Sequence, residues 1–155
     1  MGVAGAGKTT VGRLLAGELG WPYFEADDFH SPANKEKMAR GVPLNDQDRA
    51  PWLAAIRERM EECVADGRSA VFTCSALKES YRQVLAAGLP AVTLVYLSAD
   101  PATIEARVRQ RENHYLKANL VRSQFDVLEA PANAFTVDAR ESPAALVAKI
   151  RAFLG

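Results

Sequence analysis

The chain has 155 residues, of which 48% are hydrophobic and 25% charged, and these values are typical of one globular domain. Its 19 basic residues balance its 19 acidic residues, so the chain as a whole has no positive charge that would attract nucleic acid. No apolar run reaches the roughly 20 residues that a membrane span needs. Cys63 and Cys74 are too few for a disulfide framework. We expect one cytoplasmic domain, residues 1–155, with no nucleic-acid or membrane partner.

Short apolar runs alternate with longer amphipathic patterns along the chain. The runs predict strands at 22–26, 70–74, 91–97 and 135–138. The amphipathic patterns predict helices between them, with Ser-Pro or Asp-Pro pairs at several starts and glycines at several ends. Strands that alternate with helices favour an α/β fold, in which a parallel sheet is covered on both faces and binds ligands beyond the carboxyl ends of its strands.

A glycine-rich segment, GVAGAGKT at residues 2–9, matches the phosphate-loop pattern G-x-x-x-x-G-K-[ST] and directly precedes an amphipathic helix. Glycines let backbone N–H groups surround phosphate oxygens, and the helix adds its positive end. We expect Lys8 to reach the β- and γ-phosphates and the Thr9 hydroxyl to bind Mg²⁺. The predicted ATP-binding residues of the loop are Gly2, Val3, Ala4, Gly5, Ala6, Gly7, Lys8, Thr9 and Thr10. A chance glycine-rich turn is the alternative.

Acidic residues follow the strand predicted at 22–26, in the sequence EADDFH at 25–30. Phosphoryl transfer needs one carboxylate near Mg²⁺ and another that orients or deprotonates the attacking hydroxyl. A solvated acidic loop is the alternative. Ser75 and Lys78 leave the next predicted strand and lie at the same edge of the sheet. Cys74 ends that strand, where apolar surroundings raise a thiol pKa, so we expect it in the core, as we do Cys63.

A basic run follows the helix that begins near residue 100. Arg107 and Arg111 are four residues apart and share a helix face, whereas we expect Arg109 at the surface. We predict a lid at about 107–120 that brings Arg107 and Arg111 to the transferring phosphoryl group. A solvated helix face is the alternative for such a run.

Together these segments resemble the gluconokinase family, small P-loop kinases that phosphorylate D-gluconate. The matching stretches, in family order, are GVAGAGKTT (2–10), EADDFH (25–30), NKEKMARGVPLNDQDRAPWL (34–53), CSALKESYR (74–82), RQRENHY (109–115) and LVRSQFDVLEAP (120–131). The resemblance implies a P-loop NTPase of the nucleoside-monophosphate-kinase type, a three-layer α/β fold. It also implies Mg²⁺ and ATP as cofactors, 6-phospho-D-gluconate as product, a cytoplasmic location and a homodimer.

The resemblance also implies roles for single residues. Glu25 stands near Mg²⁺ with Thr9, Asp27 is the base candidate, and Arg107 contacts ATP as well as serving with Lys8 and Arg111 in catalysis. The predicted substrate-binding residues are Asp27, His30, Lys37, Arg49, Ser75, Lys78, Arg82 and Gln124. An arginine fork suits the carboxylate of gluconate, and either Arg49 or Arg82 could provide it.

The start of the chain departs from this family. A hydrophobic strand normally leads into the phosphate loop and lies in the middle of the sheet, but here only Met1 precedes Gly2. We therefore expect the first central strand to be absent from this chain, at a loss on the order of 10 kcal/mol of side-chain burial. Our hypothesis is that Met1 is an internal methionine of the natural protein.

Three alternatives to a gluconokinase remain from the sequence. One is another small-metabolite kinase of the same fold, such as a shikimate kinase. Another is a catalytically silent ATP-binding module. A GTP-dependent switch is the third, although NKEK at 34–37 fails the N-K-x-D guanine pattern and no D-x-x-G sequence occurs in the chain.

Overall fold

The computed structural model describes residues 1–109 and 114–155, with residues 114–120 described by their backbone alone. Strands and helices alternate as the sequence predicts for an α/β fold. In chain order they are α1 (Lys8–Leu19), β1 (Tyr23–Glu25), α2 (Pro32–Ala39), α3 (Asp46–Ala65), β2 (Val71–Thr73), α4 (Glu79–Ala86), β3 (Val95–Ser98), α5 (Pro101–Arg109), α6 (His114–Val127), β4 (Phe135–Asp138) and α7 (Pro143–Leu154). None of the described helices is long and apolar enough to cross a membrane.

Side chains at the predicted positions cap several helices. The Ser31 and Ser142 hydroxyls accept hydrogen bonds from backbone N–H groups in the first turns of α2 and α7, and a proline follows each serine. Asn45 and Asp48 form a reciprocal capping box at the start of α3. The capping box places the start of α3 at Asp46.

The described strands form two parallel pairs instead of the one sheet that we expected. β1 pairs with β2, and β3 pairs with β4. Met1 lies between the pairs, where its terminal nitrogen donates to the Val95 carbonyl at 2.5 Å and its carbonyl accepts from the Leu97 N–H at 3.0 Å. The Gly2 N–H donates to the Ser75 carbonyl at 3.2 Å on the other side. Residues 1 and 2 therefore connect the two pairs, with Met1 beside β3 and Gly2 beside the residues that follow β2.

An apolar cavity of about 520 Å³ separates β2 from β3. Its lining includes Leu15, Ile56 and Ile150 from the surrounding helices. The strand predicted at 91–97 is Val95–Ser98 in the structure, since its register with β4 runs from Val95 opposite Phe135 to Ser98 opposite Asp138. No described strand lies between β2 and β3, as expected from the lack of a hydrophobic run before the loop.

Two apolar clusters support the active edge of the sheet. The larger one packs α1, α5 and α7 against β3 and β4 around fully buried residues such as Ile104 and Val147. The smaller one packs α3 and α4 against β2 around Trp52 and Ile56. Cys63 and Cys74 are both buried, which confirms their predicted place in the core. Burial raises the pKa of the Cys74 thiol to about 11, so it is no nucleophile at neutral pH.

Candidate active site

The phosphate loop wraps around the start of α1 in the conformation that its glycines permit. Gly7 has φ 95° and immediately precedes Lys8, the first residue of α1. Gly2 lies so close to β3 that a Cβ atom would stand 2.7 Å from the Leu97 carbonyl oxygen. No described side chain caps α1, and Thr9 and Thr10 are exposed at its first turn. The N–H groups of this turn therefore face the surface, where an anion can reach them.

The Lys8 side chain curls back over the loop. Its Nζ donates to the Val3 carbonyl at 3.0 Å. Burial lowers the pKa of Lys8, while the carboxylates of Asp27 and Glu25 act in the opposite direction. The two carboxylates therefore lie near the lysine that the sequence assigned to the phosphates.

Glu25 is the centre of a hydroxyl cluster. Its carboxylate accepts hydrogen bonds from Thr9 at 2.8 Å, Tyr23 at 2.5 Å and Thr73 at 2.9 Å. Burial raises the pKa of Glu25, but these hydrogen bonds and the charge of Lys8 outweigh burial and lower it. Glu25 is therefore ionised at neutral pH.

Sequence reasoning missed Tyr23 and Thr73. Tyr23 precedes Glu25 by two residues on β1, so both side chains lie on the same face, and this spacing was readable from the sequence. Thr73 stands opposite Glu25 in the parallel register of β1 and β2. That register is a property of the fold, and no local sequence pattern gave it.

Thr9 and Glu25 fit the predicted Mg²⁺ site by the chemistry of their donor atoms. A hydroxyl and an ionised carboxylate are hard oxygen ligands, and they lie 2.8 Å apart. Within the described ranges, no group of three or more His, Cys, Asp or Glu residues could hold a metal ion. Mg²⁺ is commonly held by one or two carboxylates together with substrate phosphates, so a pair of protein ligands beside a phosphate loop suits it.

Asp27 and His30 lie at the two ends of a 3₁₀ turn, Ala26–Phe29, that follows β1. Asp27 is exposed. His30 is only 8% exposed, and its ring stacks on Trp52 with 4.4 Å between ring centroids. Burial lowers the pKa of His30, Asp27 raises it and Arg49 lowers it. His30 is therefore a neutral side chain whose surroundings include both the predicted base and one of the two predicted carboxylate-binding arginines.

Arg49 and Lys78 both lie close to the Tyr81 ring. The distances from the Arg49 Cζ and the Lys78 Nζ to the ring centroid are 5.7 and 5.3 Å. The Tyr81 hydroxyl donates to Asp46 at 2.6 Å and accepts from Arg49 at 3.3 Å. Both cations keep about a third of their side-chain surface exposed. This arrangement, which we call the cation pair, is open to an anionic group; Tyr81 and Asp46 were not predicted.

Arg82 is held in a different way. It is 6% exposed, and its Nη1 donates to the carbonyls of Ala76 at 2.9 Å and Leu77 at 3.0 Å. Its Nε and Nη2 donate to the Glu79 carboxylate at 2.9 and 2.7 Å. Since the protein itself engages this guanidinium, the geometry favours Arg49 over Arg82 as the arginine for a substrate carboxylate.

Two further predicted residues, Lys37 and Gln124, also have partners within the protein. The Lys37 ammonium pairs with Asp48 at 2.7 Å, which ties α2 to the first turn of α3. The Gln124 side-chain oxygen accepts from the Ala4 N–H at 2.6 Å, which ties α6 to the phosphate loop.

The predicted lid is described in part. The Arg107 guanidinium donates to the Ala139 carbonyl at 2.6 Å, just beyond β4. Arg111 lies outside the described residues. The roles of Arg107 and Arg111 on a closing lid therefore stay predictions.

Comparison with known proteins decides the family. The family model described as an AAA domain matches residues 1–134. The gluconokinase of Gluconobacter oxydans (strain 621H) is 47% identical over 131 residues, a match that covers 84% of this chain and 74% of that protein. This chain belongs to the gluconokinase family. The family membership confirms the P-loop kinase fold that the sequence predicted.

Two solved structures resemble this gluconokinase-family chain closely. A sugar kinase from Janibacter sp. HTCC2649 superposes with a TM-score of 0.89 at 42% identity, covering 99% of this chain and 91% of that one. A gluconokinase from Sinorhizobium meliloti 1021 superposes with a TM-score of 0.86 at 38% identity, covering 98% and 87%. The α/β architecture described above is therefore shared with solved sugar kinases.

Proposed function

We propose that this chain is an ATP-dependent gluconokinase that transfers the γ-phosphoryl group of ATP to the 6-hydroxyl of D-gluconate. One observation carries the proposal. Charged side chains of alternating sign form a series that begins with Lys8 at the phosphate loop, continues with Asp27 and ends with Arg49. Burial lowers the pKa of Lys8, and the charges of Asp27 and Glu25 act to raise it. Burial also lowers the pKa of His30, while the charge of Asp27 acts to raise it and the charge of Arg49 to lower it. A linear acid with its terminal hydroxyl at Asp27 and its carboxylate at Arg49 matches this order of charges.

The phosphate end of the site acts by binding and orientation. The N–H groups of the loop and Lys8 bind the phosphates of ATP. Thr9 and Glu25 would hold Mg²⁺, which when bound neutralises charge on the phosphates. Arg107 and Arg111 add positive charge on the lid side. Thr9 and Glu25 already lie side by side before any ligand binds, so little reorganisation of this pair accompanies the transfer.

Asp27 acts on the acceptor. As an exposed carboxylate near Lys8, it accepts the hydrogen bond of the attacking hydroxyl, orients its oxygen toward the γ-phosphorus and takes its proton. The hydroxyl oxygen forms the new bond to phosphorus as the bond to the β-phosphate oxygen breaks, and ADP leaves.

The other end of the site selects an acid. The cation pair of Arg49 and Lys78 binds the substrate carboxylate, and His30 and Ser75 contact hydroxyls between the two ends. Lys37, Arg82 and Gln124 support this site through the contacts described above. A neutral sugar alcohol of the same length would form no ion pair with the cation pair, so it should be a poor substrate.

A coupled assay of ADP release tests the proposal. We expect turnover that requires D-gluconate, with ³¹P spectroscopy showing a 6-phosphate ester as the product. Asp27→Asn should lower kcat by roughly 10²–10⁴-fold while ATP affinity is kept. Asp28→Asn, which changes the neighbouring exposed carboxylate, is the matched control and should behave like the wild type.

Three outcomes would contradict the proposal. ATP hydrolysis without gluconate would mean that the acceptor is water. Faster turnover of shikimate would favour the alternative kinase class. Nucleotide binding with no turnover of any acid in a panel would favour the silent ATP-binding module.

A further inference from the structure

Two hydroxyl groups besides that of Thr9, the other proposed metal ligand, contact the Glu25 carboxylate. Tyr23 and Thr73 both donate to the Glu25 carboxylate, and their oxygens lie 2.7 Å from each other. Together with the Thr9 contact, the cluster has four short oxygen–oxygen contacts, and its three hydroxyl groups supply three protons for them. Both oxygens of the carboxylate are held, Oε2 by Thr9 and Tyr23 and Oε1 by Thr73.

The donors around Glu25 are neutral. A lysine or arginine in contact with a carboxylate would cancel its charge, whereas a hydroxyl stabilises the ionised form and leaves the net charge in place. The cluster therefore fixes the position of the carboxylate through hydroxyl groups alone, which suits a ligand of a cation.

The helix next to the cluster leaves room for it. A Cβ atom at Gly12 of α1 would stand 2.4 Å from the Thr73 methyl and 2.9 Å from the Tyr23 ring. Glycine at this position allows both side chains to lie between α1 and the strands. Glu25 loses rotational freedom when it is held from both sides, and a ligand that is already ordered binds a cation at a lower entropic cost.

We propose that Tyr23 and Thr73 are positioning residues that fix the Glu25 carboxylate for the divalent cation of the nucleotide. This inference rests on the part of the proposed function that assigns Glu25 to the metal. The two residues act through Glu25 and touch neither ATP nor gluconate. The competing explanation is that the cluster only joins β1 to β2.

Metal affinity distinguishes the two explanations. Mn²⁺ replaces Mg²⁺ as the probe, and its dissociation constant is measured by electron paramagnetic resonance with the protein and a non-hydrolysable ATP analogue. We expect Tyr23→Phe and Thr73→Val each to weaken Mn²⁺ binding on the order of 10-fold, the usual effect of removing a partner of a metal ligand. Thr73→Ser, which keeps the hydroxyl, should retain wild-type affinity. Tyr96→Phe on β3 lies outside the cluster and is the matched control for Tyr23→Phe.

Thermal melting of the same variants separates positioning from stability. A lower melting temperature together with unchanged Mn²⁺ affinity in Tyr23→Phe and Thr73→Val would overturn the proposal, because the cluster would then be structural alone. Unchanged Mn²⁺ affinity in Glu25→Gln would overturn it as well, since Glu25 would not serve the metal.

The same measurements stay informative if the proposed activity fails. A wild-type protein that binds Mn²⁺ and nucleotide but does not phosphorylate gluconate would remove the substrate assignment alone. Weakened metal binding in the two variants would still support the positioning role in that case.

Discussion

The guanidinium of Arg82 donates a hydrogen bond to the carbonyl of Ala76 at 2.9 Å. Ala76 has φ 45°, in the left-handed region that non-glycine residues rarely adopt. The loop that carries Ser75 and Lys78 therefore has a strained backbone held by a buried cation. Strain of this kind persists only where surrounding contacts enforce it, and it is common at functional sites.

Arg82→Ala should lower the free energy of unfolding by about 2–4 kcal/mol, because it leaves two buried carbonyls without their donor. Arg82→Lys should recover only part of this loss, since an ammonium lacks the planar fork. Urea denaturation measures both values. If Arg82→Lys were fully stable and only the KM for gluconate rose, Arg82 would be the substrate arginine after all.

Arg49→Ala should change the KM for gluconate and leave stability nearly unchanged, the reverse of what we expect for Arg82→Ala. The Arg49 side chain is about a third exposed and its pair with Asp46 is long, at 3.9 Å, so stability should change by no more than about 0.5 kcal/mol. The KM for gluconate should rise by about 10–100-fold, the value of a charge-assisted hydrogen bond. Steady-state kinetics with gluconate varied at saturating ATP gives the answer, and an unchanged KM would remove Arg49 from the substrate site.

Gly12 and Gly17 of α1 offer a matched pair of substitutions. Gly12→Ala should destabilise the protein by roughly 1–3 kcal/mol, because its new methyl would overlap Thr73 and Tyr23. Gly17→Ala meets nothing within 4 Å and should stabilise the helix by about 0.5–1 kcal/mol. Chemical denaturation of the two variants checks the signs, and equal effects would show that the close packing at Gly12 is not rigid.

Stability should fall as the pH drops below about 6.5, the ordinary pKa of histidine. Burial lowers the pKa of His30, so the unfolded chain binds a proton that the folded chain resists, and stability rises with pH through this window. His30→Phe keeps an aromatic ring on Trp52 and removes the titration. The melting temperature should therefore change more between pH 5.5 and pH 7.5 in the wild type than in His30→Phe. Equal changes in the two proteins would show that His30 is not the source of this pH dependence.

Extending the chain by about five apolar residues before Met1 should raise the melting temperature. The cavity of about 520 Å³ has unpaired strand edges on both sides, and the Met1 nitrogen and carbonyl already make the hydrogen bonds of a parallel strand beside β3. Burial lowers the pKa of the Met1 amine to about 5, and an amide at this position would remove the buried ionisable group. The stability gain should reach at least several kcal/mol.

A five-residue glycine-serine extension is the control for this experiment. It converts the same amine to an amide but supplies no apolar side chains to the cavity. Equal melting temperatures for the apolar and glycine-serine versions would show that the cavity does not take a strand.

The local elements of this protein could be read from its sequence because their determinants are local. Ser31 and Ser142 each cap a helix as predicted, and Gly20 ends α1 with its φ of 68°. The phosphate loop was equally readable, since its function depends on backbone conformation and a helix start that neighbouring residues set. The burial of Cys74 followed from the apolar run that contains it.

Contacts between distant segments were decided only by the tertiary structure. The sequence left Arg49 and Arg82 equivalent, and burial against the Ala76 loop separated them. Thr73 reaches Glu25 because of a strand register, which side-chain patterns of three-residue strands do not specify. Sequence thus determined the chemistry available to this protein, through residue types at fixed spacings. Which side chains share a site depended on packing across the whole fold, since a hydrogen bond forms only where distant backbone segments are held within about 3 Å.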